Sequence, residues 1–136
     1  MARSVINYTI QDKGRDFGKT FVLTEMPASK AESWAIRCIL ALINGGVELP
    51  EDFEQMGMAG MAEIGIQALS GLKWDIAEPL LNEMWSCVQI MPDLSKPQLV
   101  RGLIEEDIEE IATRIKLRME IWKLHTAFFR TAAPSL

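Results

Sequence analysis

Val5-Ile6-Asn7-Tyr8-Thr9-Ile10, answered by Thr20-Phe21-Val22-Leu23-Thr24, decides the fold class. In the first run Ile6, Tyr8 and Ile10 share one side of an extended chain, with Val5, Asn7, Thr9 and Gln11 on the other. Phe21 and Leu23 alternate in the same way with Thr20, Val22 and Thr24. Successive strand side chains point to opposite faces, so a period of two marks a strand with one side on a core. Residues 12–19 are charged and punctuated by Gly14 and Gly18, which makes them the connection of a β-hairpin over residues 1–26. A lone hairpin is marginal in water and must lay its apolar face on the rest of the chain.

The residues after the hairpin have a helical period. Pro27 ends the hairpin unit, and Ser29 with Glu32 has the spacing of a capping box. Ala31, Trp34, Ala35, Cys38 and Leu42 then recur at helical intervals. The stretch from Cys38 to Ile43 is apolar all round, which predicts enclosure on more than one side. Asn44-Gly45-Gly46 supplies a left-handed stop. Residues 57–69 combine small Gly57, Gly60, Ala62, Gly65 and Ala68 with Met56, Met58 and Met61 beside them. Each glycine costs a helix about 1 kcal/mol relative to alanine, so this is either a helix closely approached by another or a partly irregular segment.

A third helix opens at Asp75-Ile76-Ala77-Glu78, with Pro79 near its first turn and a stripe of Ala77, Leu80, Leu81, Met84 and Val88. Pro92-Asp93-Leu94-Ser95-Lys96-Pro97 reads as a connector rather than a hinge. The last helix is expected over 105–129. Acids (Glu105, Glu106, Asp107, Glu109, Glu110) come first and bases (Arg114, Lys116, Arg118, Lys123) later, as the helix dipole favours, and Glu110 lies four residues before Arg114. One apolar stripe runs through Ile104, Ile108, Ile111, Ile115, Met119 and Trp122; a second begins at Leu117 and continues through Ile121, Leu124 and Phe128. The expected fold is a single α+β domain over 1–136, mainly α-helical. An N-terminal β-hairpin (1–26) packs against about four helices, divided into a helical core (27–91) and a long C-terminal helix region (98–130).

Composition narrows the function classes. The chain has 136 residues, a hydrophobic fraction of 49% and a net charge of −5, which suits one globular domain with its own core. Its 14 basic residues against 19 acids oppose a nucleic-acid partner, because neutralising phosphates needs a basic face. No uncharged apolar run reaches the ~18 residues of a membrane span, since Arg37, Glu63 and Lys73 interrupt the candidates. Met1-Ala2-Arg3-Ser4 lacks the apolar stretch of a signal peptide, so the expected location is the cytoplasm, with Cys38 and Cys87 as buried free thiols.

Motifs for chemistry fail one by one. Gly14-Arg15-Asp16-Phe17-Gly18-Lys19-Thr20 resembles a phosphate-binding loop but has three residues between its glycines where the motif has four. It also leads into a strand instead of a helix, and Asp16 would repel the phosphate. His125 is the single histidine and the two cysteines have no ligand spacing, so no zinc set forms. The acidic run 105–110 reads as a solvated helix start, not as paired catalytic carboxylates. The four tryptophans (Trp34, Trp74, Trp85, Trp122) and eight methionines fit core packing, with one or two left for an interface. The expectation is a non-catalytic protein with no cofactor or metal, working by binding other proteins.

In order along the chain, several segments resemble the tail assembly chaperones of long-tailed phages. They are residues 18–29 (Gly-Lys-Thr-Phe-Val-Leu-Thr-Glu-Met-Pro-Ala-Ser) leading into a Trp-bearing helix, Gly-Met-Ala-Gly-Met-Ala at 57–62 and Ala-Glu-Pro-Leu-Leu at 77–81. Cys-Val-Gln-Ile-Met-Pro-Asp at 87–93 and Leu-Ile-Glu-Glu-Asp-Ile-Glu-Glu at 103–110 complete the set. The resemblance covers about residues 14–130. It implies a protein that coats the tape-measure protein in the host cytoplasm before the tail tube polymerises, and that is absent from the mature virion. It also implies a frameshifted longer form in some relatives that recruits the tail-tube protein. On the residues alone, the doubly apolar end of the last helix (Leu117, Ile121, Leu124 and Phe128) is the candidate partner-binding surface, serving either the client's helices or self-association into a homo-oligomer. The alternative class is a structural tail component, a completion or connector protein retained in the virion.

Overall fold

The computed structural model describes residues 3–45 and 71–132, with the backbone alone described for 126–132. The segment 57–69 therefore lies outside the described residues. Strand β1 (Val5–Thr9) pairs antiparallel with β2 (Thr20–Thr24), setting Ile6 opposite Leu23 and Tyr8 opposite Phe21. The hairpin has the alternation expected of it. Its connection closes with the Ile10 N–H on the Lys19 carbonyl (2.9 Å) and the Gly18 N–H on the Ile10 carbonyl (2.9 Å). Gly18 makes this turn at φ +85°, a left-handed conformation that side chains with a Cβ resist.

Two further strands extend the sheet to the order β1-β2-β3-β4, all antiparallel. β3 (Val88–Met91) places Val88 opposite Leu23 and Ile90 opposite Phe21, and β4 (Arg101–Gly102) adds a short edge beside it. Cross-strand rows Ile6–Leu23–Val88 and Tyr8–Phe21–Ile90 thus share the face that meets the core. This corrects the helical reading of 27–91: Val88 continues the helical stripe by spacing but sits in a strand. β2 is central in the sheet, and Phe21, Val22 and Leu23 are all buried.

Three α-helices are present among the described residues, where about four were expected over the whole chain: α1 (Ala28–Asn44), α2 (Trp74–Glu83) and α3 (Ile111–Ala132), the remaining expected helix, 57–69, lying outside them. α1 buries Trp34, Ala35, Cys38 and Leu42 of the expected stripe, with Ala31 half-buried against the same core. It starts one residue before Ser29, so no side chain caps it; the Pro27 carbonyl accepts the Ala31 N–H at 2.8 Å instead. Its second half is not enclosed all round, because Ile36, Leu40 and Ile43 are about half exposed (49%, 52% and 52%). Gly45 is right-handed (φ −80°), so it is no left-handed stop. Its lack of a side chain matters because a Cβ there would meet Leu72 Cδ2 at 2.5 Å.

α2 ends at Glu83 and passes through a 3-10 turn (Met84–Cys87) directly into β3. α3 begins at Ile111, not near residue 105. Before it the chain makes a 3-10 turn (Glu105–Asp107) and an extended stretch, so the first helical turn carries no acid. Trp34 joins the three helices. Its indole N–H donates to the Leu80 carbonyl at 3.0 Å, and its ring meets Trp122 edge-on at 5.6 Å. Phe21, Leu23, Leu42, Met84, Leu117 and Ile121 complete the centre of the core, each with no measurable exposure.

Candidate interaction surface

α3 carries apolar side chains on two sides, and the structure decides which side is inside. Leu117 and Ile121 are 0% exposed and belong to the central core, with Leu124 half-buried against it. The Phe128 side chain lies outside the described residues. The surface expected at Leu117, Ile121, Leu124 and Phe128 is therefore corrected: at its first two positions it is the inner face of α3. The sheet face and α1 need an apolar partner, and this stripe supplies it.

The other stripe is the outward one. Ile111 is 78% exposed, Ile115 53% and Met119 39%, at intervals of four residues along one side of α3. Trp122, the last of the same sequence stripe, turns in beside Trp34 and is buried. Flanking the exposed line are Arg114 and Arg118, whose guanidinium carbons sit 4.3 Å and 5.0 Å from the centroid of the Trp85 ring. Arg114 does not pair with Glu110 as the helical spacing suggested. Glu110 accepts from Arg15 instead, through the backbone N–H (3.2 Å), Nε (3.2 Å) and Nη2 (3.3 Å). The cause is the late start of α3, which leaves Glu110 on the extended approach beside the hairpin loop.

The polar residues that resembled catalytic or phosphate-binding motifs are consumed by the fold. Asp16, 1% exposed, accepts from the backbone N–H groups of Glu109 (2.9 Å) and Glu110 (2.9 Å), where α3 is about to begin. Lys19 donates to Asp16 (3.0 Å) and to the Asp107 carbonyl (2.9 Å). A carboxylate from the chain itself thus satisfies the backbone N–H groups just ahead of α3. Burial works to raise the Asp16 pKa, but the Glu109 N–H, the Thr113 hydroxyl, Lys19 and the Glu110 N–H together hold it down at about 2. Asp107 is gripped by Arg101 in two 2.8 Å bonds and accepts the Ile104 N–H at 2.7 Å.

Cys38 and Cys87 are buried free thiols; burial pushes Cys38 up to about 12 and raises Cys87 as well, so neither is a ready nucleophile. Among the described residues no group of His, Cys, Asp and Glu has the arrangement of a metal site, and no helix is long and apolar enough to cross a membrane.

His125 pins α3 to the end of the hairpin. Its Nε2 accepts the Met26 N–H at 2.9 Å, which leaves Nδ1 to donate to the Ile121 carbonyl at 2.9 Å. That tautomer is neutral, and burial lowers the ring's pKa from 6.5 against the smaller opposing pulls of the Ile121 carbonyl and Glu25. A lowered histidine pKa means the folded state binds fewer protons than the unfolded one. The stability His125 contributes is therefore complete above about pH 6.5 and is lost as pH falls from there through the folded pKa. An NMR titration of the ring is expected to give a midpoint below 6.5, and urea denaturation at successive pH values is expected to show the matching decline, absent in His125→Gln.

No family model matches this chain, and no curated protein or solved structure matches it either.

Proposed function

We propose that this chain is a non-catalytic tail assembly chaperone of a long-tailed phage, which binds the tape-measure protein in the host cytoplasm and leaves before the virion is complete. The observation that carries a binding role is the line Ile111, Ile115 and Met119, exposed at helical spacing while the opposite side of α3 fills the core. Such a line costs free energy in water and is relieved when a second helix lies along it. Ile36, Leu40 and Ile43 on α1 present a second exposed line, spaced four and three residues apart along one side of that helix. Two apolar lines suit a protein that holds a long helical client and meets further copies of itself along it, as a homo-oligomer. Recruitment of the tail-tube protein would belong to a longer form. The intramolecular partners of Asp16, Lys19, Asp107 and His125 support a role without catalysis.

The test is coexpression with the tape-measure protein of the same phage, comparing the wild-type chain with Ile111→Glu/Ile115→Glu. The double variant is expected to fold normally and to lower the yield of dissolved client at least about ten-fold, since two glutamates abolish the apolar contact. Undiminished yield would remove α3 from the client-binding surface, and an insoluble client beside the wild-type chain would overturn the reading.

One observation favours the alternative of a structural tail component. β1 is an edge strand that pairs only with β2 among the described residues, so its outer side can accept a neighbour's strand. Stoichiometric presence of the chain in purified virions would decide for that reading.

A further inference from the structure

Among the six arginines whose side chains are described, three pair with acids, Arg3 is exposed near the start of the chain, and the remaining two are half-buried against a ring. Arg15, Arg37 and Arg101 each reach a carboxylate: Glu110, Glu83 and Asp107. Arg114 and Arg118 have no carboxylate partner among the described residues, and both guanidiniums lie against the Trp85 indole. They stand four residues apart on α3, so their charges oppose each other. Arg118 shows the strain as a lowered pKa, caused first by burial and then by Arg114. Donors also go unused: Arg118 Nε and Trp85 Nε1 are buried with no hydrogen-bond partner among the described residues. The chain has 19 acids against 14 bases, so a shortage of acids does not explain why neither arginine has a carboxylate partner among the described residues.

Position supplies the rest. At 3.6 residues per turn, Arg114, Arg118, Ile111, Ile115 and Met119 fall within about 140° of the α3 circumference, the arginines along one margin and the apolar residues beyond them. We infer that this face of α3 takes an acidic amphipathic helix, whose apolar stripe lies on Ile111, Ile115 and Met119 while carboxylates spaced four residues apart bind Arg114 and Arg118. Carboxylates at that spacing on a facing helix are about 6 Å apart, matching the step between the two arginines. Arg stacked on an aromatic ring keeps its planar fork for two-pronged carboxylate binding, and the stack holds it in place before the partner arrives. A wholly apolar helix would bury both cations without compensation. The inference rests on the binding role proposed above and adds the chemistry of the segment bound.

Fluorescence anisotropy with the full chain and two labelled, end-blocked helical peptides of about 18 residues tests it, a length that lies along five turns of α3. Both carry the same leucine stripe; one has glutamates at a flanking i, i+4 pair and its twin has lysines there. The glutamate peptide is expected to bind at least ten-fold more tightly than its twin, and Arg114→Gln/Arg118→Gln is expected to erase the difference. Equal affinity of the twins for the wild-type chain overturns the inference, as does a preference that survives in the double variant. Binding of neither peptide, with self-association lost in the double variant, also overturns it and assigns the face to a second copy. The twin comparison needs only wild-type protein, so it stands even if the variant folds poorly. Coexpression separates this inference from the chaperone reading. A tape-measure protein held in solution equally by wild type and double variant keeps the chaperone and removes the acidic helix. A ten-fold peptide preference without tape-measure binding does the reverse.

Discussion

Replacing Ile121 by alanine is expected to lower the stability of the fold by about 3 kcal/mol, and replacing it by glutamate to abolish the cooperative unfolding transition. Ile121 is 0% exposed and packs in one cluster with Leu117, Trp122, Trp34 and the sheet residues Phe21 and Leu23. Alanine leaves a cavity that the β-sheet and α1 cannot both close. Glutamate adds a charge with no partner in a domain whose whole stability is on the order of 5–15 kcal/mol. Ile115→Glu, six residues earlier on the outward side, is expected to change stability by no more than about 0.5 kcal/mol. Urea denaturation followed by circular dichroism compares the three variants directly. A normally folded Ile121→Glu chain would mean that α3 presents its other side to the core, and the interaction surface would move with it.

Asp16→Ala is expected to destabilise the chain by about 3 kcal/mol, the usual scale for removing one partner of a buried charged network. The side chain links its own loop, through Lys19, to a distant part of the chain: the Glu109 and Glu110 N–H groups before α3 and the Thr113 hydroxyl in its first turn. Without it, two backbone donors and the Lys19 ammonium lose an acceptor in a site that water scarcely reaches. The pH dependence has a definite sign. The folded pKa, about 2, lies below the ordinary 3.8, so the folded state holds fewer protons and the stabilisation is present above 3.8. It is lost as pH falls from 3.8 toward 2, an amount of about 2 kcal/mol. The difference between wild type and Asp16→Asn across that range isolates this residue from Asp107 and Glu110, whose pKa values are also lowered. A difference that does not shrink on acidification would show that Asp16 acts by packing and not by charge.

Much of the fold was legible because the signals were local. Ile6, Tyr8, Phe21 and Leu23 alternate whatever lies above them, and Trp34, Ala35, Cys38 and Leu42 can share a side only in a helix. The strand at Val88 was hidden because Val88 lies four residues beyond Met84 and so satisfies the helical period too. A strand of four residues has too few alternations to outweigh that, and the strand forms because Leu23 and Phe21 offer a ladder. Arg101–Gly102 had no apolar signal at all. The late start of α3 was hidden for a related reason: an acidic run suits the beginning of a helix, but here Asp107 is held by Arg101 and Glu110 by Arg15.

The sequence by itself determined the hairpin, the buried stripe of α1 and the existence of two apolar sides on the last helix, since period and residue type need no third dimension. It also argued against a phosphate-binding loop, by the spacing of Gly14 and Gly18, the strand that follows and the charge of Asp16. Which of the two sides of α3 is buried was decided only by the tertiary structure. Leu117 and Ile121 went inside because Trp34 and the sheet face fill the space beside them, and Ile111, Ile115 and Met119 were left outside. The burial of Asp16 and the packing of Arg114 on Trp85 in place of Glu110, with Arg118 beside it, belong to the same class. Those arrangements join residues tens of positions apart, and a helical period places side chains around an axis without saying what stands opposite them.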